Sequence, residues 1–144
     1  MPYTKIWIHL VWATKGRQPL LKKEIRQQIF DHIKANAHAK GIFLDQINGH
    51  IDHVHCLVSL TATQNIANIV KLLKGGSSYW INKNQLIKTK FGWQDEYFAA
   101  SVSHSQINDV RRYIRDQEKH HNRKTFKEEY NEFIDKYEFD KENG

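Results

Sequence analysis

Ile51-Asp52-His53-Val54-His55-Cys56-Leu57-Val58-Ser59-Leu60 is the stretch on which the fold turns. Val54, Cys56, Val58 and Leu60 recur at every second residue, the period of a strand with one face in a core. His53 and His55 then project from the opposite face, about 7 Å apart along the strand. Working backwards, Ile42–Ile47 forms a partner strand, with Asn48-Gly49 as a favoured two-residue hairpin turn. Leu21, Ile25, Ile29, Ile33 and Ala37 recur every four residues and mark an amphipathic helix that stops near Gly41. Tyr3–Lys15 is rich in β-branched and aromatic residues and predicts a first strand, followed by a turn at Gly16-Arg17-Gln18-Pro19. Working forwards, Ile66, Ile69, Val70 and Leu73 predict a second helix, in which Gly75-Gly76 marks a kink or a close approach. Tyr97–Ser103 predicts another strand, and Ile107, Val110 and Ile114 place a third helix over Ser105–His121. A short acidic helix or tail ends the chain. The order β-α-β-β-α-β-α predicts an α+β, ferredoxin-like split βαβ fold, with helices on one face of an antiparallel sheet and the other face partly open.

At 144 residues, with 40% hydrophobic and 26% charged, the chain fits a single domain spanning 1–144. Its core covers about 3–121, and the acidic C-terminal helix or tail 125–144. No apolar run approaches the roughly 20 residues that a membrane helix needs. The first residues lack the continuous apolar core of a secretory signal, so the expected location is cytoplasmic. A lone cysteine, Cys56, excludes an internal disulfide framework and a multi-cysteine zinc site. The formal charge of +6 is unevenly spread: residues 128–144 carry seven acidic and two basic side chains, which leaves +11 on residues 1–127. Such a basic domain points to a polyanionic partner, with nucleic acid the commonest.

Two imidazoles held on one strand can converge on a metal ion with little reorganisation. With nine histidines in the chain, a His-x-His pair arises by chance roughly 0.6 times, so a pair of ordinary surface histidines is the rival reading. On the third helix Tyr113 and Gln117 lie four residues apart and share one face. Arg111, Arg112, Arg115 and Lys119 surround them. Nearby cations and a metal-polarised phosphate would activate the Tyr113 hydroxyl, and the Gln117 amide oxygen would complete a His-His-Gln set that suits Mg²⁺ or Mn²⁺ as well as a softer ion.

These elements together resemble a family. Asp52-His53-Val54-His55 is similar to the His-hydrophobic-His motif of the HUH endonuclease superfamily. Tyr113-Ile114-Arg115-Asp116-Gln117 is similar to the Tyr-Ile-x-x-Gln helix of its small single-tyrosine insertion-sequence transposases. Ile8–Lys15 resembles that family's first strand, Val70–Ser78 its second helix, and Trp93–Phe98 the lead-in to its last strand. The resemblance runs from about Tyr3 to His121. Gly16-Arg17-Gln18-Pro19 and Ser103-His104-Ser105 depart from it mildly.

The resemblance implies a metal-dependent, site-specific endonuclease and strand transferase acting on single-stranded DNA with hairpins at insertion-sequence ends. His53 and His55 match the metal-binding histidines, Tyr113 the nucleophile and Gln117 the third ligand, with His50, His104 and His120 as spares. Attack by Tyr113 would leave a 5′-phosphotyrosine and a free 3′-hydroxyl. Lys15, Arg17, Lys74 and Arg112 are candidate phosphate contacts. The family also implies nucleoid association and a homodimer in which one chain's nucleophile helix completes the other's site. Two other readings stay open: a domesticated relative acting on chromosomal palindromic repeats, and a non-catalytic module that binds single-stranded nucleic acid.

Overall fold

A computed structural model of the chain describes residues 3–121 and 125–136. Four strands, β1 (Ile6–Ala13), β2 (Phe43–Gly49), β3 (His53–Leu60) and β4 (Phe98–Val102), form an antiparallel sheet in the order β2-β3-β1-β4. The helices are α1 (Lys23–Ala39), α2 (Ile66–Lys83), α3 (Ile107–Arg115), α4 (Gln117–His121) and α5 (Phe126–Lys136). This is the expected α+β, split βαβ arrangement. Its two central strands, β3 and β1, carry the histidines.

Alternation along the central strands divides the sheet into two faces. Ile8, Leu10 and Trp12 of β1 join Val54, Cys56, Val58 and Leu60 of β3 in the main core, beneath Ile29, Phe30, Ile33 and Ala37 of α1 and Ile69, Val70 and Leu73 of α2. Burial pushes the Cys56 thiol pKa up, so this cysteine behaves as a small apolar side chain. Gly76 lies where α2 crosses α1: a Cβ there would come within 2.7 Å of the Asn36 side-chain amide. The helix runs through Gly75-Gly76 unbroken. Gly76 therefore marks a close approach, Gly75 faces open space, and the helix is not interrupted at the pair.

The second face differs from the partly open surface expected. Ile107, Val110 and Ile114 of α3 pack on Leu57 and Val102, and Tyr130 and Ile134 of α5 pack on Val11, Ala13 and Phe98. The site therefore sits under a roof built by the C-terminal third of the chain.

Two further departures shape the site. The β2–β3 connection is His50-Ile51-Asp52, three residues long, because the ladder continues through the pairs Asn48–His55 and Gly49–Val54. At Gly49 the backbones are so close that a Cβ would fall 2.1 Å from the His53 carbonyl oxygen. Gly49→Ala must therefore prise β2 from the strand that bears both histidines. The expected result is a loss of about 3 kcal/mol in chemical denaturation, with the midpoint shifted and the slope unchanged.

The second departure is in the helix predicted over 105–121. It starts as a single 3₁₀ turn, His104–Gln106, and then breaks at Asp116 into α3 and α4. Asp116 still donates its N–H to the Arg112 carbonyl, at 3.0 Å, but its backbone (φ −93°, ψ 22°) has left the helical range.

Candidate active site

β3 sits between β2 and β1, and its alternation brings His53 and His55 onto the face beneath α3 and α5. Both imidazoles are fully buried, with ring centroids 5.1 Å apart. Each ring is oriented by a neighbour. His53 Nδ1 lies 2.8 Å from Asp52 Oδ1, in a carboxylate–imidazole pair that leaves Nε2 facing inward. His55 Nδ1 lies 2.9 Å from His9 Nε2. His9 reaches it because it stands two residues from Val11, the register partner of His55, which makes the two rings diagonal neighbours across the β1–β3 ladder.

The inward nitrogens meet oxygen atoms. His53 Nε2 is 3.2 Å from Gln117 Oε1 and 3.7 Å from Glu129 Oε1, and His55 Nε2 is 2.5 Å from the same Glu129 oxygen. Gln117 and Glu129 are buried as deeply as the histidines. One ligand atom from each of His53, His55 and Glu129 can be chosen so that all lie within 4.8 Å of one another. Two ring nitrogens facing an amide oxygen and a carboxylate oxygen form a donor set that a divalent cation would satisfy. A proton shared along one of these contacts would serve only part of it. The residues present therefore fit a cation of the Mg²⁺ or Mn²⁺ kind.

Tyr113 stands over this pair. Its ring lies edge-on to His55, with centroids 5.5 Å apart, and to His9 at 6.1 Å. The hydroxyl donates a hydrogen bond to Glu129 and is also bonded to the Gln117 side chain. Burial, followed by the charge and hydrogen bond of Glu129, raises the phenol pKa well above its ordinary value; Gln117 opposes the shift. Of the cations expected to activate Tyr113, the three arginines face acids and Lys119 is exposed. Arg111 forms a two-pronged contact with Asp45, at 2.8 and 3.1 Å, and lies over the Trp7 ring. Arg112 is exposed and 3.6 Å from Asp109, and Arg115 is 3.9 Å from Asp116. The Tyr113 hydroxyl donates instead to a carboxylate, that of Glu129.

The position of α3 is set by β2. The β2–β3 register shifts between Leu44 and Gln46, so Asp45 sits in a bulge that turns its carboxylate toward Arg111. One turn further on, the Asn48 side chain donates to the Arg115 carbonyl at 2.9 Å. These contacts hold Tyr113 beside the histidines of its own chain.

Tyr113, His53, His55 and Gln117 thus converge. Of the candidate phosphate contacts, Arg112 precedes Tyr113 on α3 and is exposed. Lys15 is exposed in the turn after β1. Arg17 lies 5.1 Å over the Tyr130 ring. The Lys74 ammonium donates to the Gln94 and Asp95 carbonyls, which tie α2 to the segment before β4. Of the spare histidines, His50 is half-buried in the β2–β3 turn and His104 is exposed; the side chain of His120 lies outside the described residues.

Sequence reasoning missed His9, Asp52 as an orienting group, and Glu129. A signal for α5 was present. Thr125-Phe126-Lys127-Glu128 has the spacing of a capping box, and the Thr125 hydroxyl accepts from the Glu128 N–H at 3.2 Å.

The IS200-like transposase profile matches residues 2–117 of this chain, from before β1 to Gln117. The chain belongs to the IS200-like transposase family. The ISDra2 transposase TnpA of Deinococcus radiodurans is 31% identical over 114 residues, covering 76% of this chain and 81% of that protein. A crystal structure from D. radiodurans R1, described as a candidate transposase, superposes with a TM-score of 0.66 at 28% identity, over 81% of this chain and 93% of the other. A REP-associated tyrosine transposase, solved bound to a REP hairpin, shares the fold, with a TM-score of 0.55 at 14% identity over 79% and 66% of the two chains. In this IS200-like transposase the family match ends at Gln117, so α5 and its glutamate lie beyond the matched region. No described helix is long and apolar enough to cross a membrane.

Proposed function

We propose that this transposase cuts and rejoins single-stranded DNA through a covalent bond between Tyr113 and a 5′-phosphate. The observation that carries the reading is the convergence of Tyr113 with His53, His55 and Gln117 on one sheet face. A divalent cation, when bound, would withdraw charge from a non-bridging oxygen of the scissile phosphate. His53, His55 and Gln117 would hold it, and Asp52 and His9 would keep the two imidazoles turned inward. Tyr113 Oη attacks phosphorus: a phosphorus–oxygen bond to tyrosine forms, the bond to the 3′ oxygen breaks, and the phenolic proton is lost as the 3′-hydroxyl gains one. The new phosphodiester retains the energy of the old one, so a 3′-hydroxyl from another strand can reverse the step without ATP. A water-using nuclease would discard that energy.

The hairpin on the REP-associated relative supports hairpins near insertion-sequence ends as the substrate, with Lys15, Arg17 and Arg112 as phosphate contacts. The same chemistry on chromosomal palindromic repeats is the second reading that this likeness favours. Homodimerisation through a sheet edge belongs to the proposal. Exchange of α3 between partners would require the Arg111–Asp45 and Asn48–Arg115 contacts to open.

The test is a denaturation-resistant protein–DNA adduct. Single-stranded DNA from both flanks of the gene, mixed with protein and Mn²⁺, is expected to give one that runs slower than free protein on a denaturing gel. EDTA should abolish it, and double-stranded DNA should give none. Tight single-strand binding in EDTA, with no adduct under any condition, would leave a binding module instead.

A further inference from the structure

Glu129 closes the pocket from a helix that the family match does not reach. Its carboxylate is 2% exposed, 2.5 Å from His55 Nε2 and 3.7 Å from His53 Nε2, and it also accepts from the Tyr113 hydroxyl. A buried carboxylate against two imidazoles carries a desolvation cost that a nearby positive charge must offset. A divalent cation offers two charges at the point where both nitrogens and both oxygens already face. Carboxylate oxygen is also a harder donor than imidazole and favours Mn²⁺ and Mg²⁺ over softer ions.

We propose that Glu129 is an additional protein ligand of the divalent cation in the DNA-free chain, and that α5 is thereby a metal-latched cap which the DNA strand must displace. This rests on the metal-dependent reading above. The carboxylate takes a position at the cation that a phosphate oxygen would need, and it holds the nucleophile's hydroxyl at the same time. The rest of α5 seats the latch: Tyr130 packs edge-on against Phe98 at 5.0 Å and beneath Arg17, and Ile134 lies on Val11 and Ala13. Arg17, one of the basic side chains proposed to meet the strand, is exposed and lies over the Tyr130 ring, at the edge of this cap. Among the described side chains of α5, Tyr130, Ile134 and the buried Glu129 make these contacts.

Two measurements test this on the full-length chain. The first is calorimetric titration with Mn²⁺ in the absence of DNA. Glu129→Gln is expected to weaken binding about tenfold or more, and Glu129→Asp less. The second is hydrogen exchange of the wild-type chain, which needs no variant to fold. Amides of 126–136 should gain protection with Mn²⁺ and lose it when single-stranded DNA from the gene flanks is added. Mn²⁺ affinity unchanged within twofold in both variants overturns the ligand assignment, and so does indifference of α5 protection to Mn²⁺. Protection that persists on bound DNA overturns the cap. A His53→Ala control separates the two levels. If it abolishes Mn²⁺ binding while Glu129→Gln does not, only the role of Glu129 falls. If the wild-type chain binds no Mn²⁺, the metal-dependent reading falls with it.

Discussion

Tyr113→Phe protein is expected to give no adduct with flanking single-stranded DNA in Mn²⁺, a fall in strand cleavage on the order of 10⁴-fold or more. The substitution removes one oxygen. The ring keeps its place beside His55 and His9, and α3 keeps its Arg111–Asp45 and Asn48–Arg115 contacts. Fold and metal affinity should therefore survive, which separates this outcome from a structural failure. Thermal unfolding and Mn²⁺ titration of the variant would check that. An adduct of undiminished yield would mean that another side chain is the nucleophile. The hydroxyl of the half-buried Tyr113 rests protonated and donates to Glu129, so wild-type cleavage should also require the site to reorganise when the strand arrives. A lag that shortens as Mn²⁺ and DNA are premixed in different orders would be its kinetic sign.

His55→Ala is expected to have the other large effect, on stability and metal together. The imidazole lies between His9 and Glu129, so its removal leaves a buried ring nitrogen and a buried carboxylate short of one partner each. Loss of one member of such a buried pair costs about 3 kcal/mol, which should lower the melting temperature without metal. For the wild-type chain, Mn²⁺ at 100 times its Kd should add about 2.7 kcal/mol of stability, or about 10 °C in melting temperature for a chain of this size. In His55→Ala that rise should vanish. A wild-type melting temperature that ignores Mn²⁺ would remove the grounds for a cation at this pocket, whatever the variant does.

Most of the architecture was legible because it depends on short-range periodicity. Val54, Cys56, Val58 and Leu60 could have only one common face, and that put His53 and His55 together on the other. Tyr113 and Gln117 were legible as a pair because four residues is one helical turn. The local chemistry at Asp116 was not: the helix ends there, and Gln117 still reaches His53 Nε2 from the first position of α4. The Asn48-Gly49 hairpin was misplaced for a similar reason. Glycine at 49 serves the close approach of two backbones, which the dipeptide signal cannot tell from a turn.

By itself, then, the sequence determined the element order, the face on which two histidines lie, and the spacing of tyrosine to glutamine, since each follows from chain geometry over a few residues. Only the tertiary structure decided what surrounds them. His9 meets His55 through the β1–β3 register, Arg111 meets Asp45 through a bulge, and Glu129 crosses 74 residues of sequence to reach His55. Such contacts are chosen by how whole elements pack. An acidic helix that looks like a solvated tail in isolation can present one buried carboxylate, because its apolar side chains, Tyr130 and Ile134, need a sheet face to cover.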